Sequence, residues 1–192
     1  MNFFPTSFVF WAVLAVTVFW ALGAYNRLVR LRGDMVRALQ LLAVQWQSSA
    51  QAIRHELATL SHAPESDSAW ASLGDEANSW RPLALATKQF QACIAGVLAK
   101  PHLAPPVDDI ASIRAAYEVM QDAWQRLCDT HEDLAGAAVP QRLALLWQHQ
   151  NSLAQEKVRD YNACVQAYND SVAQFPAAFL AWIFVFGPAQ AM

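Results

Sequence analysis

The chain has 192 residues, of which 55% are apolar and only 15% charged, against about 25% charged in an average soluble domain. The formal net charge of −3, with no dense Lys/Arg block carrying interleaved aromatics outside the first helix, excludes a nucleic-acid partner. The charge is also confined: nothing charged precedes Arg27 or follows Asp170, and the about 145 residues between them suit one domain with one core.

Residues 3–24, "FFPTSFVFWAVLAVTVFWALGA", carry no charge. At about 1.5 Å per residue they reach about 33 Å, enough to cross a hydrocarbon layer of about 30 Å. A cleaved signal peptide starts with a positive segment and has a shorter apolar core. The stretch therefore reads as a retained anchor over 1–24. Arg27, Arg30, Arg32 and Arg37 follow it against the single acid Asp34. Positive flanks stay cytoplasmic, which predicts a single-pass protein with its N-terminus outside and its bulk in the cytoplasm. The same arginines suit anionic lipid head groups.

From Tyr25 to Leu60 the apolar residues keep helical spacing along three lanes: Tyr25, Arg32, Leu39, Trp46, Ile53, Leu60; then Leu28, Met35, Leu42; then Val29, Val36, Ala43, Ala50, Leu57. Apart from Gly23 and Gly33 nothing breaks this helix from the span, so one rod is expected. "SHAPESDS" is a turn. A second helix is expected over 68–99, with Pro82 kinking it or marking a fresh start near Asn78 and Ser79. After "KPHLAPPV" the spacing Ile110, Ile113, Tyr117, Met120, Trp124, Leu127, His131, Leu134 alternates three and four, and Asp108 and Asp109 suit the first turn of a third helix. "GAAVP" separates it from a fourth helix over 141–175, stopped by Pro176. The short connection predicts that the last two helices are antiparallel neighbours. The fold class is all-α: a membrane-anchored antiparallel four-helix bundle over 25–176, its long first helix continuous with the N-terminal span. Residues 177–192 begin with ten nearly pure apolar residues, too few to span, and are expected to lie on the membrane surface or against a partner, with packing in the core as the alternative.

Few residues suggest chemistry. His55, His62, His102, His131 and His149 are scattered, and neither "RHEL" nor "THED" continues to HExxH, so no metal is expected. No phosphate-binding glycine loop, nucleophile elbow or nucleophile–base–orienter set is present, so neither a cofactor nor catalytic residues are expected. Cys93, Cys128 and Cys164 form no CxxC pair and read as reduced thiols in or near the core.

The repeated dipeptide Tyr-Asn stands out. In "VRDYNACVQAYNDSVAQFPAA" a valine opens each of three heptads and an aromatic follows three residues later: Val158, Val165, Val172 beside Tyr161, Tyr168, Phe175. The pattern reads as a coiled-coil-like packing seam that meets the first helix where both approach the membrane. Asn162 and Asn169, or Tyr25 and Asn26 across the seam, are expected to partner the Tyr hydroxyls.

These residues carry a resemblance to the LemA family. The span followed by "YNRLVRLRGDMVRALQLLAVQW" resembles the family's Tyr-Asn-x-Leu-Val-x-Leu-Arg opening. "EKVRDYNACVQAYNDSVAQFP" is similar to its two Tyr-Asn dipeptides a heptad apart, closed by an aromatic-Pro, here Phe175 and Pro176; "FVFGP" resembles the segment after them. "QSSAQAIRHELATL" and Ala43 depart from the pattern, marking a divergent member. The resemblance implies a bacterial inner-membrane helical bundle with no established activity. The expected function is a non-enzymatic scaffold whose partners are the bilayer and other membrane proteins or a second copy. The alternatives are a ligand-binding or catalytic bundle, or a periplasmic binding module if the N-terminus is cleaved.

Overall fold

The computed structural model describes residues 6–61, 75–100, 106–133, 139–175, 178, 181 and 187–192. Among these there are four helices and no strand: α1 (Thr6–Ser61), α2 (Asp75–Leu98), α3 (Val107–Asp133) and α4 (Gln141–Ala173). The all-α four-helix bundle expected from periodicity is the fold observed.

α1 is a single helix of 56 residues, about 84 Å long at helical rise. It runs through both Gly23 and Gly33. Its two parts differ in environment. Over Phe8–Leu22 the large side chains stand outside the bundle, Phe8 at 69% and Phe19 at 77% exposure. From Leu28 onward the predicted lanes turn inward: Leu28, Met35, Leu39, Leu42, Trp46, Ile53 and Leu57 are all buried. Val29 is the exception in its lane and faces outward.

α2 continues through Pro82, so of the two alternatives, a kink or a fresh start near Asn78 and Ser79, the fresh start is not found. Trp80 and Leu83 are buried on either side of the proline and hold the helix to the core. α3 buries the stripe read from its spacing, with Ile110, Ile113, Met120 and Leu127 inside and Tyr117 and Trp124 packed against them. His131 and Leu134 lie outside the described side chains. α4 begins at Pro140, whose carbonyl accepts from Ala144 N–H at 3.1 Å. It ends at Ala173, because Gln174 is already extended at ψ 136°.

Hydrogen bonds and ring contacts fix the directions. Gln40 and Arg54 of α1 reach Val97 and Gln91 of α2, in opposite order. Ser49 and Glu56 of α1 meet Gln150 and Arg142 of α4, again in opposite order. Trp124 stacks on Trp147 at 4.5 Å, and Tyr117 bonds Asn151. The bundle therefore runs up-down-up-down. α1 packs closely on α2 and α4, and α2 on α3. The α3–α4 pair differs from the expected close neighbours: among the described residues no backbone of one comes within 8 Å (Cα to Cα) of the other. The flat Trp124–Trp147 stack and the Tyr117–Asn151 bond bridge the space between them. At the centre Trp46, Phe90 and Tyr117, from three helices, lie 5.4–5.7 Å apart ring to ring.

Gly33 lies on an exposed face, and a Cβ there would meet nothing within 4 Å. Gly33→Ala should therefore stabilise the bundle by about 0.5–1 kcal/mol, read as a raised denaturant midpoint. An unchanged or lowered midpoint contradicts the picture of one uninterrupted rod. Glu56 is buried, only 6% of its side chain being exposed, and pairs with Arg142 at 3.0 Å. Arg142→Ala should cost about 1–3 kcal/mol by leaving a buried carboxylate without its charged partner, whereas removing the exposed Arg37–Asp34 pair should cost under about 1 kcal/mol.

Candidate functional site

The two Tyr-Asn dipeptides do not partner each other. They hold residues 187–192. Tyr161 and Tyr168 bury their rings in the core, at 2% and 3% exposure, and leave only the hydroxyls at its edge. Tyr161 Oη donates to the Gln190 carbonyl at 2.9 Å, and Tyr168 Oη to the Gly187 carbonyl at 3.2 Å. The neighbouring asparagines act as two-pronged clips. Asn162 Nδ2 donates to Met192 O at 3.0 Å while its Oδ1 accepts from Met192 N–H at 2.8 Å. Asn169 makes the same pair with Ala189, at 2.9 and 2.8 Å. On the other side Arg114 of α3 donates to the Ala191 carbonyl. The segment 187–192 thus lies in the α3–α4 groove, antiparallel to α4.

The spacing explains the repeat. Seven helical residues rise about 10.5 Å. Three residues of extended chain reach about 10 Å. The tail's bonded residues are spaced by three, 187 with 190 and 189 with 192. A heptad on α4 therefore measures one threefold repeat of the tail. The tail lies outside any helix or strand, so its backbone groups need outside partners, and the Asn amide offers a donor and an acceptor together. Asn and Tyr are the types this geometry asks for: a short amide at the helix surface beside a long ring with a polar tip.

The other residues singled out by sequence are placed differently. Phe175 leaves the lane of Tyr161 and Tyr168, because the helix has ended; it is 80% exposed and meets Trp20 of α1 at 5.5 Å ring to ring. Pro176 lies outside the described residues, as does most of 177–186, although Ala181 is buried. Val165 is buried, with Val158 and Val172 packed against the core, as the heptad reading requires. Tyr25 is half-buried and Asn26 exposed, and the described bonds of Tyr161 and Tyr168 go to the tail and not across to them. Arg27, Arg30, Arg32 and Arg37 are exposed. Arg27 also borders a hollow of about 420 Å³ between α1 and the end of α4, walled by Phe19, Trp20 and Phe175.

A second polar cluster sits inside the bundle. Gln121 donates to Tyr117 Oη, Tyr117 Oη donates to Asn151 Oδ1 at 2.6 Å, and Ser49 Oγ and Gln45 Nε2 donate to Gln150 Oε1. The cavity beside it, about 20 Å³, has room for one water and for no metabolite. Among the described residues no three His, Cys, Asp or Glu side chains converge as metal ligands would. Burial, with the charges of Asp34 and Asp160 behind it, pushes the Cys164 thiol up, away from the reactive thiolate.

Two outcomes test the clamp. Asn169→Ala should destabilise the tail by about 1–3 kcal/mol, because it strands both a donor and an acceptor. Faster amide exchange at Ala189 is the readout, and unchanged exchange there contradicts the clamp. Burial also pushes Tyr161 up from about 10 to about 12, opposed by Arg114. Its hydroxyl must stay protonated to donate. The stability it contributes is present below pH 10, where both states are protonated, and is lost as the pH rises through about 12. The melting temperature should fall across that window, and Tyr161→Phe should flatten the fall; an equal slope in the variant contradicts the assignment.

No protein-family model matches the chain, and no curated protein or solved structure does either.

Proposed function

We propose that the chain is a non-enzymatic, membrane-anchored helical scaffold of the LemA type, which holds a compact bundle at a bilayer and contacts other membrane proteins or its own copies. The observation that carries this reading is the single helix α1. Its first part has a mean hydropathy of 2.0 over an 18-residue window with none of it buried, and the same helix continues as the centre of the bundle. Several large apolar side chains left in water would each forgo about 1.5–3 kcal/mol of burial. A bilayer removes that cost, and a rigid helix passes its orientation to the bundle. The hollow beside Trp20 and Arg27 suits the interfacial zone, where an aromatic body and a cation meet lipid head groups.

The exposed arginines after the span favour a single pass in a bacterial inner membrane, N-terminus outside and bundle in the cytoplasm. Protease added to sealed inverted vesicles should then digest the bundle; full protection reverses the orientation. Crosslinking in native membranes should yield a defined set of neighbours or a homo-oligomer. A monomer in detergent together with only abundant bystanders in the crosslinks contradicts the scaffold reading.

A further inference from the structure

We propose that the hollow between α1 and the end of α4 holds one anionic phospholipid, its phosphate on Arg27 and its acyl chains along Phe19, Trp20 and Phe175. The inference deepens the scaffold reading and rests on it, since it needs α1 to stand in a bilayer. Three observations support it. The hollow has about 420 Å³, within the range of about 300–1,000 Å³ of ordinary ligand pockets. Its α1 wall is graded: Phe19 and Trp20 lie toward the apolar span, and Arg27 follows about 12 Å further along the helix. Between them Gly23 and Ala24 leave room, and a Cβ at Gly23 would meet nothing within 4 Å. The charge is also one-sided. The described lining holds the cation Arg27 and no carboxylate, while Ser171 and Gln174 add neutral polar groups from α4.

This arrangement suits a lipid better than a free anion. A soluble phosphate would engage Arg27 and leave the rings of Phe19 and Phe175, both largely exposed, in water. A phospholipid covers those rings with its chains while the guanidinium fork takes its phosphate. A zwitterionic head group carries its own cation beside the phosphate, so Arg27 favours a lipid of net negative charge. Trp20, between the span and the arginine, sits at the depth where an indole prefers the interface. Basic pockets beside membrane helices bind anionic head groups by the same chemistry.

The test uses the full chain in nonionic detergent, titrated with phosphatidylglycerol or with phosphatidylcholine of the same acyl chains and read by native mass spectrometry. Phosphatidylglycerol should saturate at one per chain and bind at least about fivefold more tightly than phosphatidylcholine. Arg27→Gln should abolish that preference, whereas Arg37→Gln, at an exposed residue outside the hollow, should keep it. Equal affinity for the two lipids, or the same loss in both arginine variants, reduces the contact to diffuse charge and overturns the proposal. Gly23→Leu should block the site by filling it; unchanged binding to this variant, folded by circular dichroism, overturns the placement. Where that variant does not fold, the two arginine variants decide. Glycerol phosphate, a head group without chains, should not displace the lipid. Displacement at the lipid's own concentration makes the hollow a simple anion site and overturns the lipid. Flotation with phosphatidylcholine vesicles separates the two readings: a chain that floats yet shows no preference loses this site alone, and a chain that does not float loses the anchor and the site together.

Discussion

The burial of one face of α1 against both α2 and α4 is the contact on which the other helices depend. Leu39, Leu42, Trp46, Ile53 and Leu57 supply the inner wall, and Trp46 ties α1 to Phe90 of α2 and Tyr117 of α3. Because α1 occupies the middle, α3 and α4 meet only over its far side and need not touch closely. Large flat rings fill part of that span, and the tail fills another part. A bundle of four equal neighbours would have no such groove. The asymmetry of packing comes first, and the clamp is what the sequence places in the space it leaves.

Two spatial frequencies meet in the clamp. A helix surface repeats about every two turns, and the tail's bonded residues recur every three, and the two lengths, about 10.5 Å and about 10 Å, agree. Repeating Tyr-Asn after one heptad therefore repeats the same contact one register along the tail. The tyrosines divide their labour by atom: ring carbons belong to the core, the hydroxyl to the edge. The asparagines hold nothing in the core and serve the tail alone.

The fold was legible in the sequence because it rests on periodicity. The alternating stripe of α3 faces the core at every described position, with Tyr117 and Trp124 partly buried, and the lanes of α1 turn inward where charge first appears. What periodicity could not carry was lost. Glu56 lies among the apolar positions of α1 as a charged residue, and nothing local indicates that Arg142, far along the chain, covers it. Pro82 read as a kink or a fresh start, and the helix runs on through it because tertiary burial of Trp80 and Leu83 outweighs a local helix penalty. Phe175 fitted its lane by spacing alone, and the lane ends two residues earlier with the helix. The Tyr-Asn residues were recognised as a unit with the wrong partner. Their rings do pack as the heptads say, but the amides bind main-chain atoms of a short segment that has no helical or strand periodicity, and such a segment leaves little pattern to read.

That last point bears on how this chain tolerates change. A clip that grips only main-chain atoms places few demands on the letters it holds. Substitutions at the exposed tail positions leave its grip untouched, whereas Ala189 and Met192 also pack on the core, and the four gripping residues on α4 have almost no substitutes that combine reach, donor and acceptor in the same way. Mutational drift should therefore run fast along one side of the contact and slowly along the other. The single kind of letter the tail must avoid, at two places, is proline, although it carries one of its own immediately beside the first.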